Sequence, residues 1–240
     1  MSVQIVRVGT ENRPIIVIDD IVDDPHGLVD YAASLAPFPS ATGVFYPGLR
    51  RMLGPNDANA MMTSYVARIC HTLSNLMGST YGVRNFAVQS VGFSVVTTPP
   101  SELRPMQCLP HIDGADPKSF AVLHYLSRHE NSGTAFFRHA RTGFETITPD
   151  RVDAFRSARE QDQAEYGTPR GYVRGSTHGY AEIGRVESRF NRLVVYPSNV
   201  FHSGILPADY DFDPDPRRGR LTTNIFLNGD IPERGNAPGS

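Results

Sequence analysis

Cysteine is nearly absent, with Cys70 and Cys108 the only thiols in 240 residues. Two cysteines at that spacing build neither a disulfide framework nor a cysteine-based zinc site, so both read as free thiols of a reducing compartment. Long apolar runs are missing as well. No stretch approaches the roughly 18 apolar residues of a membrane-spanning helix, and the opening MSVQIVRVG lacks the basic start and apolar core of a signal peptide. The expected address is cytoplasmic, with no membrane partner. Neither sign of charge is in excess. The chain carries 23 Lys and Arg against 25 Asp and Glu, for a formal net charge of −2. The basic residues are scattered, so there is no electrostatic footprint for nucleic acid. The glycine-rich stretches do not follow a strand and open a helix in a phosphate-binding pattern, which argues against a nucleotide site. Internal repeats and low-complexity tracts are also missing.

What remains is an ordinary globular composition, 40% hydrophobic and 20% charged, long enough for one large core. Strand signals open the chain at Val3 to Val8 and Ile15 to Ile18. A first helix should follow Asp24 as cap and Pro25 in its first turn, with Leu28, Ala32 and Leu35 at helical spacing. The stretch FPSATGVFYPGLRR reads as a loop. A longer helix is expected from about Ala58 to Met77, striped by Met62, Val66, Ile69, Leu73 and Leu76, with Gly78 as its stop. Short strands then follow at Phe86 to Val96, Phe120 to Leu126, Ala135 to Arg138, Arg192 to Tyr196, Val200 to Ile205 and Leu221 to Leu227. They are interrupted by a surface helix over Pro149 to Tyr166 and a loop through GTPRGYVRGSTHGY. Helices first and strands later predict an α+β fold in one domain over 1-228, with a helical part at about 1-85 and a β-core at about 86-228. The ending 229-240, GDIPERGNAPGS, reads as a flexible tail with little to bury.

The chemistry concentrates in LPHIDG. On an extended segment, the one-residue gap between His111 and Asp113 points both side chains to one face, as two ligands of one metal require. One His-x-Asp among 8 histidines is weak alone. His202, in NRLVVYPSNVFHSG, begins a strand after a turn and can return beside the pair. Two histidines and a carboxylate on one octahedral face leave open positions for Fe(II) to take a chelating cosubstrate and oxygen; zinc uses the same donors.

From Phe86 to Asn228 the chain resembles the 2-oxoglutarate and Fe(II)-dependent dioxygenase superfamily, in its prolyl-hydroxylase-like branch. In order, HID, the strand FAVLHYLS, the turn NSGTAFF, RLVVYPSNVFHSG and GRLTTNIFLN match the family's His-x-Asp, Tyr-Leu-Asn-like strand, Gly-Gly-Thr-like turn, distal histidine and basic residue. The resemblance implies a double-stranded β-helix (jelly-roll) core with N-terminal helices packed on one sheet. It makes His111, Asp113 and His202 the catalytic metal ligands and Fe(II) the metal. 2-Oxoglutarate becomes the cosubstrate, its far carboxylate held by Arg220, with hydroxyls of Tyr125 and Thr222 as further donors. The implied reaction uses O2 and releases succinate and CO2 while a small molecule or protein side chain is oxidised, by default hydroxylated.

One departure is that Arg220 lies further beyond His202 than the family's spacing, across PADYDFDPDPRRG, so Arg217 and Arg218 compete with it. The aspartates at 209, 211, 213 and 215 are not a calcium loop. Counting from Asp209, proline falls where the loop needs glycine, and Arg220 where it needs glutamate. Arg138, His139 and Arg141 form a basic cluster read as a solvated strand end. His124, His129, His178, Arg50 and Arg51 receive no role. The alternatives are a metal-dependent hydrolase on the same His/Asp/His site and a non-catalytic β-helix binding protein. Substrate identity and oligomeric state stay open.

Overall fold

In a computed structural model, which describes residues 1–43, 45–57, 59–129 and 131–230, neighbouring side chains along the central strands divide between two apolar layers. The strands are β1 (Ser2–Val8), β2 (Arg13–Asp19), β3 (Gly48–Met52), β4 (Asn85–Val96) and β5 (Ser119–Tyr125). They continue with β6 (Gly133–His139), β7 (Tyr180–Glu187), β8 (Arg192–Pro197), β9 (His202–Ile205) and β10 (Leu221–Asp230). The helices are α1 (Pro25–Ser34), α2 (Ala60–Tyr81) and α3 (Val152–Tyr166). All strand pairs are antiparallel. A seven-stranded sheet runs β1-β2-β8-β5-β10-β4-β3, and a three-stranded sheet runs β7-β6-β9. Among the described residues, no helix is long and apolar enough to cross a membrane.

Strand periodicity sends alternate residues to opposite faces. Ile16 and Ile18, Phe120 and Val122, and Leu193 and Val195 join α1 and α2 in one cluster. Their neighbours Ile15 and Val17, Ala121 and Leu123, and Val194 and Tyr196 meet Phe136 and Val186 of the smaller sheet in another. That is why IIVI and LVVY are unbroken apolar runs: both faces of these strands are covered. The outer face of the small sheet carries Ala135, Phe137 and Phe201, against which Phe155 of α3 packs.

Helix α1 starts as the sequence predicts, with Asp24 accepting the Gly27 amide at 2.8 Å. Helix α2 is longer than predicted. Gly78 lies inside it, and the left-handed Gly82 (φ 72°) ends it. A glycine in a helix interior costs about 1 kcal/mol. Met62, Tyr65, Ile69, Leu73 and Met77 are buried along this helix, and at about 1.5–3 kcal/mol for each such side chain they outweigh it. A buried polar cluster sets the helix on the sheet. The Tyr65 hydroxyl contacts Thr223 Oγ1 at 2.6 Å and His124 Nδ1 at 3.1 Å, while His124 Nε2 meets Asn191 Oδ1 at 3.1 Å. Burial lowers the His124 pKa to about 4, so this histidine is a neutral packing element.

Three expectations differ from what forms. The predicted loop at 38–51 gives way at its end to β3, an edge strand without β-branched residues that pairs with β4. The predicted loop at 167–180 forms, but it runs into a strand that was not expected, β7, paired with β6 and mostly half-buried, which leaves its alternation weak. Gly229 and Asp230, assigned to the tail, complete β10, with the Gly229 amide donating to the Lys118 carbonyl at 2.7 Å. The remainder of that tail, 231–240, lies outside the described residues.

The N-terminal hairpin is tied to the small sheet by Glu145, whose side chain is fully buried. Burial alone would raise its pKa. The amides of Thr10 and Glu11, the Arg138 guanidinium and the Thr10 hydroxyl donate to it and hold it below the ordinary 4.5. Its stabilisation is therefore complete at neutral pH and is lost as the pH falls below 4.5 through the folded-state value. We expect Glu145→Gln to cost about 1.5–3 kcal/mol at pH 7 and to flatten the acid limb of the stability profile, read by urea unfolding at stepped pH. An unchanged acid limb would show that Glu145 is not the linked group.

Candidate metal centre

His111, Asp113 and His202 come together at the mouth between the two sheets. His111 and His202 exchange backbone hydrogen bonds, both 2.9 Å, so the segment before β5 pairs with the start of β9. The Asp113 amide donates to the Ser198 carbonyl at 2.8 Å. These main-chain bonds fix the one-residue offset that puts both side chains on one face. His111 Nε2 lies 3.8 Å from Asp113 Oδ1, and His202 Nε2 lies 3.6 Å from Asp113 Oδ2. One donor atom from each residue falls within 4.8 Å of the others.

The surroundings orient these donors. His202 Nδ1 donates to the Val200 carbonyl at 3.0 Å, which leaves the Nε2 lone pair facing Asp113. The His202 ring lies 4.8 Å from Tyr196, and His111 stacks on Phe45 at 5.5 Å. Burial, then His202 and Arg50, push the His111 imidazole well below its ordinary value, toward the neutral form. Burial also raises the Asp113 carboxyl, against the pull of His202 and Arg50. Two imidazoles and a carboxylate whose donor atoms lie within 4.8 Å of one another are the donor set that a divalent cation completes, and the residues present fit one.

Two adjoining cavities open from these donors, an inner one of about 90 Å³ and an outer one of about 290 Å³. Arg220 lines both and is only 4% exposed. Its Nε donates to Ser132 Oγ at 2.8 Å and one NH2 to the Gly133 carbonyl at 2.9 Å, while its Cζ lies 5.5 Å from the Tyr125 ring centroid. Glycine is required at 133, because a Cβ there would come within 2.3 Å of the Val186 carbonyl. No carboxylate among the described residues pairs with Arg220. Arg217 pairs with Asp30, and Arg218 with Asp213 and Asp215, so neither lines these cavities. Thr222 lines the inner cavity. Tyr125 sits behind Arg220 with its hydroxyl on Thr134 Oγ1 at 2.7 Å.

Sequence reasoning left Arg50 unplaced. On β3 it pairs with Ser94 of β4, which turns its side chain into both cavities, with Nε donating to Ser94 Oγ at 3.0 Å. The signal was the apolar–polar step of Leu49 and Arg50, too short to read as a strand. The basic cluster at 138–141 is internally neutralised: Arg138 binds Glu145, His139 binds Asp162, and Arg141 binds Asp162 and Glu165. A larger cavity, about 480 Å³, lies between α3 and residues 167–180. It contains none of the three donors and meets the outer site cavity only at Leu109 and Tyr172.

A family model described as "Family of unknown function (DUF6445)" matches residues 1–227. No match is found among the curated proteins. Among solved structures, the non-heme alpha ketoglutarate dependent epimerase SnoN from nogalamycin biosynthesis is similar, with a TM-score of 0.52 at 13% identity over 96% of this chain and 87% of that one. The carbocyclase SnoK of the same biosynthesis gives 0.49 at 11% identity over 91% and 80%. The viral collagen prolyl hydroxylase vCPH of Paramecium Bursaria Chlorella virus-1 gives 0.47 at 11% over 90% and 96%. The likeness to SnoN is one of fold alone: mainly antiparallel sheets with few helices.

The geometry predicts one divalent metal per chain. Titration with Co(II), followed by its visible absorption, should saturate at one equivalent. His202→Ala should weaken binding at least about 100-fold, beyond the 10–100-fold loss typical of an outer-shell change. Unaltered cobalt affinity in that variant would remove His202 from the site.

Proposed function

This chain belongs to the DUF6445 family, and we propose that it is a 2-oxoglutarate-dependent Fe(II) oxygenase that hydroxylates a small molecule or a protein side chain. One observation carries the reading. A buried arginine without a carboxylate partner among the described residues, Arg220, lines the same cavity as a His/Asp/His donor cluster. An unpaired buried guanidinium is unfavourable until an anion reaches it. A hydrolase built on the same donors has no need of that cation. The two facing sheets are read as a double-stranded β-helix, with α1 and α2 on the larger sheet and residues 1-228 as one domain.

In this reading His111, Asp113 and His202 would hold Fe(II). The metal and 2-oxoglutarate together supply the oxidising power, with O2 consumed and succinate and CO2 released. The chain does the rest. Arg220 has two donors fixed by Ser132 and Gly133, so the remaining N–H groups form a preset fork for the far carboxylate of the cosubstrate. Tyr125 backs the guanidinium, and the Thr222 hydroxyl offers a further donor from the cavity wall. Tyr196, Phe226 and Phe45 line the two cavities with apolar surface that displaces bulk water from the reacting centre.

Anaerobic Fe(II)-loaded protein should develop a saturable visible charge-transfer band when 2-oxoglutarate is added. Arg220→Ala should raise the 2-oxoglutarate Kd about 10–100-fold, as expected for losing a charge-assisted bidentate contact. His111→Ala and His202→Ala should each abolish iron-dependent succinate release. Persistent succinate release in either histidine variant, or a band indifferent to Arg220, would sink the reading.

A further inference from the structure

The cavity holds one cation more than 2-oxoglutarate uses. The charged side chains lining its two parts are Arg50, Arg220 and Asp113, the two histidines being metal donors. On the oxygenase reading, the dication is balanced by Asp113 and the keto-acid carboxylate, and Arg220 by the far carboxylate. Arg50 is left over. Its guanidinium has no carboxylate partner among the described residues. Its Nε is taken by Ser94, and its Cζ lies 4.5 Å over the Tyr46 ring. The terminal nitrogens therefore form a planar fork, held from behind at a fixed angle.

Tyr46 supplies a second, independent observation. Its hydroxyl is buried beside the Ser94 side chain but makes no hydrogen bond of normal geometry among the described residues. Its main-chain carbonyl is engaged, accepting from Gln107 Nε2 at 3.0 Å and from the Gly48 amide at 3.2 Å, so the backbone that carries the ring is held in place. A buried hydroxyl left unsatisfied costs about 1–3 kcal/mol, a penalty that a bound acceptor removes. Tyr46 and Arg50 belong to the segment that walls the outer cavity, together with Phe45, which stacks on His111. Arg220, by contrast, is braced from β6 through Gly133 and from the adjoining Ser132.

Resting on the oxygenase reading above, we infer that the substrate is a small carboxylic acid, whose carboxylate is received by the Arg50 fork and the Tyr46 hydroxyl in the outer cavity. A cavity of about 290 Å³ admits a compact acid with its reacting carbon turned toward the metal donors. The fork matches a carboxylate edge, and the low-dielectric wall strengthens the pairing.

The test uses the full chain loaded with Zn(II), which binds the same donors without turnover. Calorimetry and saturation-transfer NMR would compare a set of aliphatic and aromatic monocarboxylic acids with their primary amides, with and without 2-oxoglutarate. We expect acids to bind about tenfold or more tightly than their amides, as losing one charge-assisted contact implies. Arg50→Ala should erase that preference and Arg50→Lys should retain part of it. Tyr46→Phe should reduce it about fivefold, the loss expected for one hydrogen bond. Equal affinity for acids and amides would overturn the proposal. So would an Arg50→Ala variant that loses 2-oxoglutarate affinity while keeping the acid preference, since Arg50 would then serve the cosubstrate. Tighter Arg50-dependent binding of phosphate monoesters than of acids would also overturn it. If Zn(II)-loaded wild type fails to bind 2-oxoglutarate, the oxygenase reading falls, yet the acid–amide comparison without it still decides the role of Arg50.

Discussion

Two reciprocal backbone hydrogen bonds between His111 and His202 hold the centre of this protein together. They join a segment before β5 to the first residue of β9. Because the bonds are main-chain, they fix Cα positions before any side chain is considered. Asp113 then follows from strand alternation and from the tie of its amide to Ser198. The surrounding layers keep this pairing in register. Ile15, Val17, Val194 and Tyr196 of the larger sheet pack against Phe136 and Val186 of the smaller one. A one-residue slip in β8 would exchange those residues for the set that meets the helices. Hydrophobic registry and donor geometry are thus one constraint seen at two scales.

Arg220 is the second point where fold and chemistry meet. Its own amide donates to the Tyr210 hydroxyl, which in turn donates to the Val96 carbonyl, so the loop leading into β10 is closed down onto β4. This explains how an insertion as long as PADYDFDPDPRRG leaves the arginine in the cavity. The extra residues are absorbed by turns in which Asp213 and Asp215 neutralise Arg218 outside the site. A buried cation would be hard to maintain for stability alone, since an apolar residue there would avoid its desolvation.

Much of this was legible in the sequence, for physical reasons. Long apolar strands such as β5 and β8 announce themselves because both faces are buried. The donors were legible because ligand chemistry restricts residue type and spacing, and because the motifs run in one order. The end of α2 misled because Gly78 looks like a stop, while the decision lay in how many side chains around it find a core. Strand β7 was missed because an edge strand of a small sheet buries little on either face, so its period-2 signal nearly vanishes.

The least legible residue of the candidate site is Arg50, and the reason lies in where it is held. The metal donors depend on pairings that the whole hydrophobic pattern enforces. Arg50 depends on one edge strand, Gly48–Met52, paired with β4 on one side, held on the other only by a short bridge to residues 39–41, and written in residues with no strand preference. Such an element can change sequence without disturbing the registry of His111 and His202, because no other strand leans on it. Physical separation of this kind lets one scaffold keep its chemistry while its recognition varies.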